Sequence, residues 1–174
     1  IYYYVAFKNT TGKVHVDTYS GLASAQSITS ATFAPDFVFV KTNAAVGAVY
    51  NMKLSYGNYS SYFSDTANLT GAITGLTSNG FDVGTSTTAN GSGATLYYAA
   101  FGGDAAPSAG SGSFTMAKGS YTGTGNYLNI GGLGFKPDLI IIKGDTAQYG
   151  AFRTSLMGGD STGYLDAPLA NFTG

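Results

Sequence analysis

The sequence predicts an all-β protein: a β-sandwich of jelly-roll or immunoglobulin-like type, in two related units of which the second is incomplete. Three observations carry this. The 174 residues hold 26 Gly, 14 Tyr and 11 Phe, and all nine acids are Asp, so strand and turn formers are abundant while the helix former Glu is absent. Short apolar–polar alternations recur between turn signals, as strands of a sandwich require. No stretch shows a capped helical period.

In chain order, Ile1–Phe7 is apolar on both faces, with Ile1, Tyr3, Val5 and Phe7 on one and Tyr2, Tyr4 and Ala6 on the other. A strand of that kind is stable only inside a sheet. Lys13–Tyr19 alternates and reads as a half-buried strand closed by Gly21, with Ala25–Thr32 a further candidate. Pro35-Asp36 opens a core strand, Phe37–Lys41, at the one place where a missing backbone donor does little harm. Ala48–Leu54 alternates again, and Ser55–Thr66 reads as a loop followed by a short strand. Asn79-Gly80 marks a turn before Phe81–Val83, and Ala94–Phe101 completes the unit. Strands are expected again at Ser113–Lys118, Tyr127–Ile130, Asp138–Lys143 and Gly150–Leu156.

The chain repeats itself out of phase. Phe33-Ala34-Pro35-Asp36-Phe37-Val38-Phe39-Val40-Lys41 returns as Phe135-Lys136-Pro137-Asp138-Leu139-Ile140-Ile141-Ile142-Lys143, an offset of 102 (135 − 33). Leu54 and Tyr62 return as Leu156 and Tyr164 at the same offset. Tyr3-Tyr4-Val5-Ala6-Phe7, in contrast, precedes its match, Tyr97-Tyr98-Ala99-Ala100-Phe101. The expected organisation is therefore a strand at 1–7 that belongs to a preceding unit or is donated to a neighbour, a first unit at 8–103, a small-residue linker at 104–112, and a second, incomplete unit at 113–174. A start at Ile1 in place of Met points to a processed chain or a window on a longer one.

Several ordered motifs carry a resemblance. They are Tyr121-Thr122-Gly123, then Gly134 through Lys143, Gly159-Asp160-Ser161-Thr162 with Tyr164-Leu165-Asp166, Ser78-Asn79-Gly80-Phe81-Asp82-Val83-Gly84, and the closing Tyr97–Phe101. Together they resemble a tandem β-domain family of unknown function found in phage virion proteins and large bacterial surface proteins. The resemblance implies an extracellular or virion β-domain in a repeat array and transfers no catalytic residue. The second unit departs from it by lacking the closing segment.

Residues able to carry chemistry are few. A Ser–His–Asp triad would have to use His15, the sole histidine, which alternates with Val14 and Val16 and reads as a solvent-facing strand residue. With one His and no Cys, a zinc site lacks ligands. Calcium is open only weakly, through Asp160-Ser161-Thr162 with Asp166 or Asp65 with Asn68, where turn capping suffices. Asp36 and Asp138 occupy equivalent places in different units and do not form an obvious glycosidase pair. Gly131-Gly132-Leu133-Gly134 lacks the Lys-Ser/Thr ending of a phosphate loop. No catalytic residue and no cofactor are assigned, and an enzyme is not expected.

Tyr56, Tyr59, Tyr62 and Phe63 lie among Ser and Asn and form a candidate glycan contact, with packing of a loop or subunit interface as the plainer reading. N-x-Ser/Thr sequons at Asn9, Asn58, Asn68, Asn90 and Asn171 would mark exposed loops in a glycosylating source. A net charge of −1 offers no basic footprint for nucleic acid, and no apolar run is long enough to insert in a membrane. The expected function is a structural subunit of an extracellular filament, surface appendage or virion assembly. It would polymerise head to tail with copies of itself, with Ile1, Tyr2, Tyr3, Tyr4, Val5, Ala6 and Phe7 as the inter-subunit strand. The alternative is a carbohydrate-binding or adhesion module recognising surface glycans. Either places the protein outside the cell, at a cell surface or on a virion.

Overall fold

The computed structural model describes residues 6–52, 58–102 and 114–165, together with the backbone of Phe172–Thr173. The first half contains β1 (Val14–Ser20), β2 (Gln26–Ile28), β3 (Phe37–Thr42), β4 (Val49–Met52), β5 (Tyr59–Tyr62), β6 (Leu69–Thr70), β7 (Ile73–Leu76) and β8 (Phe81–Val83). A one-turn helix α1 (Thr87–Asn90) and β9 (Thr95–Phe101) follow. The second half contains β10 (Leu139–Ile142), β11 (Ala151–Thr154), β12 (Ser161–Tyr164) and β13 (Phe172–Thr173).

These strands make an all-β sandwich. A six-stranded sheet runs β1-β9-β3-β4-β5-β6 and a three-stranded sheet runs β2-β8-β7. Alternation decides what lies between them. Val38 and Val40 of β3 and Leu96, Tyr98 and Ala100 of β9 point inward, where they meet Ile28, Ile73, Phe81 and Val83 of the smaller sheet. Tyr98 is the largest fully buried side chain, packed edge-on against Phe81 at 5.0 Å between ring centroids. The opposite face of the large sheet carries Phe37, Phe39 and Phe101, over which Phe114 and Met116 lie.

Strand β9 is the keystone. It lies between β1 and β3 and pairs antiparallel with both, Val14↔Phe101 through Ser20↔Thr95 on one side and Phe37↔Phe101 through Thr42↔Leu96 on the other. The second half is a four-stranded sheet, β10-β11-β12-β13. It reproduces the β3-β4-β5-β6 meander strand for strand, displaced by the sequence offset. The copy extends to single hydrogen bonds: Lys41 Nζ donates to the carbonyls of Thr42 and Ala44 at 2.7 and 2.9 Å, and Lys143 Nζ to those of Gly144 and Thr146 at 3.1 and 2.8 Å. The two halves touch where Gly150 N–H donates to Phe63 O at 2.8 Å and Lys118 pairs with Asp36 at 3.0 Å.

Several expectations need correction. Phe114–Lys118 and Tyr127–Ile130 form no strands. By the offset, residues 116–122 are the counterpart of β1, whose strand partner among the described residues is β9; with no such strand beside 116–122 among the described residues, alternation alone makes no ladder. Ala25–Thr32 contracts to the three residues of β2, and Thr32 takes a positive φ of 61° beyond it. Strand β7 was not anticipated; Gly75 and a register shift between Ile73 and Gly75 hide its alternation. The single turn of α1 also carries no periodic signal; Ser86 caps it, its Oγ accepting from Thr88 N–H at 3.3 Å.

Candidate functional site

The feature left open by this architecture is the outer edge of β10. Its counterpart β3 is covered on one side by β9 and on the other by β4, and Val38 and Val40 are fully buried. β10 has β11 on one side and, among the described residues, no strand on the other. Its isoleucines are accordingly exposed: Ile140 39%, Ile141 42% and Ile142 44%. An edge strand of three consecutive isoleucines, with neither charge nor proline, presents free backbone donors and acceptors beside apolar side chains.

The predicted inter-subunit strand falls largely outside the described residues, which begin at Ala6. Ala6 and Phe7 are exposed, and the Phe7 ring packs edge-on against Phe101 at 4.8 Å. Just beyond, Asn9 folds back onto β1: its Oδ1 accepts from Val16 N–H at 2.8 Å, and Thr10 bridges to Val14. The segment is thus anchored to its own body from Phe7 onward.

Of the candidate glycan contacts, Tyr56 lies outside the described residues. Tyr59 is 51% exposed, whereas Tyr62 packs against the core with its hydroxyl 3.3 Å from Thr88 Oγ1. Phe63 stacks on Tyr50 at 4.7 Å. The strand's alternation sends Tyr59 and Tyr62 to opposite faces, so the three rings do not combine into one platform. Tyr59 borders a shallow cleft open to solvent, lined also by Asn51, Ser61 and Asn68 on one side and Lys143 and Asp145 on the other. Burial lowers the Lys143 pKa, against the opposing charges of Asp145 and Asp65. Its polar groups already serve the fold: Asn51 Nδ2 donates to Tyr59 O and Ile73 O at 2.9 and 3.2 Å, and Ser61 Oγ donates to Asn68 Oδ1 at 2.7 Å.

The remaining candidates are accounted for by packing. His15 is half-buried rather than solvent-facing, its ring 5.9 Å from that of Tyr98 and its Nε2 3.7 Å from Asp17 Oδ2. Asp36 is buried and pairs with Lys118, while Asp138 is exposed and accepts from Ser155 Oγ at 3.0 Å. The sequon at Asn90 does not mark an exposed loop: Asn90 is fully buried. Asp65 and Asp160 are exposed, and Asp166 and Asn171 lie outside the described residues. Among the described residues no group of three or more His, Cys, Asp or Glu converges, and no helix is long and apolar enough to cross a membrane.

The run Leu139–Lys143 matches β3, which has β9 beside it; among the described residues β10 has a strand on one side only. Compared with known proteins, the chain matches no family model, no curated protein and no solved structure.

Proposed function

We propose that the protein is a structural building block that polymerises with copies of itself by β-strand complementation, as an extracellular filament, surface appendage or virion component. The observation that carries this reading is the exposed β10 edge, set beside the internal precedent of β3, which is completed by a strand of β9 type. Ile1–Phe7 has that type of sequence. A strand added to an edge satisfies a row of backbone groups and buries alternate side chains, each worth roughly 1.5–3 kcal/mol when fully covered. A head-to-tail contact that does not close on itself propagates as a fibre. The resemblance to tandem domains of virion and bacterial surface proteins agrees with that setting, as does a surface poor in charge. The test is deletion of residues 1–7 followed by electron microscopy: filaments are expected from the full chain and lost from the truncated one, and undiminished assembly overturns the reading.

One observation favours glycan recognition as a second reading: Tyr59 stands exposed beside the polar cleft between the two halves. Binding on a glycan array that disappears with Tyr59→Ala supports it; no binding to any glycan removes it.

A further inference from the structure

We infer that the partner on the β10 edge is the N-terminal arm of a second copy of this chain, laid antiparallel in one register, with Val5 opposite Ile141. This rests on the complementation reading above and specifies its geometry.

The register comes from the molecule's own template. In the first half β9 runs antiparallel to β3 with Val38↔Ala100, Phe39↔Ala99, Val40↔Tyr98 and Lys41↔Tyr97. The sequence repeats convert each partner. Val38 through Lys41 correspond to Ile140 through Lys143, and Tyr97 through Ala100 correspond to Tyr3 through Ala6. The transferred ladder is Ile140↔Ala6, Ile141↔Val5, Ile142↔Tyr4 and Lys143↔Tyr3.

The faces agree with this register. Tyr98 and Ala100 face the core, and the transferred ladder puts Tyr4 and Ala6 on the same face as Ile140 and Ile142. Tyr97 is exposed on the opposite face, where Tyr3 would stand beside Lys143. A slip of one residue would turn every side chain of the arm to the wrong face.

The occupant is argued from sequence and attachment as well. Tyr3-Tyr4-Val5-Ala6 repeats the pattern of Tyr97-Tyr98-Ala99-Ala100, the residues of β9 that pair with Val38 through Lys41 of β3. The arm leaves its body at Phe7, which stays on Phe101. In the same chain the place beside β3 that the arm resembles is already taken by β9. Among the described residues, the open place beside a β3-like strand is on β10.

The chain has no cysteine, so engineered pairs report on contacts directly. Full-length Val5→Cys and Ile141→Cys chains are mixed, oxidised mildly and run without reductant, beside Val5→Cys mixed with Ile140→Cys and with Ile142→Cys. Disulfide-linked dimers are expected from the Ile141 mixture and not from the other two, because adjacent strand positions face opposite sides of the sheet and cannot be bridged. Crosslinking that favours Ile140 or Ile142 overturns the register while leaving complementation standing. Dimers formed by Ile141→Cys alone, in place of the mixed product, overturn the arm as occupant in favour of paired β10 edges. A Val5→Cys/Ile141→Cys double variant that crosslinks within one chain, while the mixture does not react, overturns the second copy. Arm-dependent filaments without any crosslink overturn the inference but not the function; absence of both filaments and crosslinks overturns both.

Discussion

Asn90 shows how much a single buried side chain can hold. Its Oδ1 accepts from Leu22 N–H at 2.8 Å and Gln26 Nε2 at 2.7 Å, and its Nδ2 donates to Ser24 O at 2.7 Å and Gly84 O at 2.6 Å. It thereby ties α1 to the chain on either side of the small sheet. Replacing it with Ala removes four hydrogen bonds, of which the one to Gly84 O is fully buried, and Asn90→Ala is expected to cost about 3 kcal/mol, read by urea denaturation. Asn-Gly-Ser looks like a surface turn in sequence, and nothing local announces that its amide is enclosed. The same applies to Gly80: Asn79-Gly80 was legible as a turn, but the reason for Gly is close approach, since a Cβ there would lie 1.9 Å from Ile28 O. The two core tyrosines give the molecule a pH limit. Burial raises the pKa of Tyr19, helped by Tyr98, and its hydroxyl donates to Ala89 O at 2.5 Å. Burial also raises that of Tyr98, against the lowering effect of its Ser30 hydrogen bond and with the charge of Asp17 adding to the rise. The folded state therefore favours the protonated phenols. Their contribution is complete below the unfolded tyrosine pKa of about 10 and is lost as pH rises above it. Chemical denaturation between neutral and strongly alkaline pH should show stability falling above that point, and Tyr19→Phe should make the fall shallower.

Strands were readable wherever alternation and a partner coincided. β1, β3, β4, β8 and β9 appear within a residue or two of their expected places because each is flanked by turn residues and faces a core. The failures divide by cause. β7 was hidden by the bulge at Gly75, whereas 114–118 and 127–130 carry strand-like residues with no neighbouring strand to receive them. A sequence specifies which residues can enter a ladder; whether one forms depends on a partner elsewhere in the chain or outside it. The candidate site followed the same rule: the β9-like character of Ile1–Phe7 was plain in the repeat, and the structure adds that β10 lies at a sheet edge. The edge also makes a prediction of its own. Ile141→Lys introduces the charge that natural edge strands use against unwanted pairing. Because Ile141 is already 42% exposed, its thermal midpoint should stay near that of the parent, while filament yield by sedimentation should collapse.

At the scale of the whole molecule, the sandwich and the appended meander are one strand pattern used twice with different completion. The first copy is closed by its own β9; among the described residues the second consists of β10, β11, β12 and β13. The position of β9 has a further consequence, in time rather than in space. It is the last strand of its sheet in sequence and sits between the first two, β1 and β3. Residues 14–42 therefore cannot settle into their final neighbours until residue 101 arrives. Every ladder β9 makes spans a long stretch of chain, and such topologies fold slowly, in the range of about milliseconds to seconds. During that interval β3 presents the same open edge that β10 presents afterwards. The folding chain and the finished one thus share a vulnerability, and the rate at which β9 inserts sets how long the β3 edge of a newly made molecule remains open.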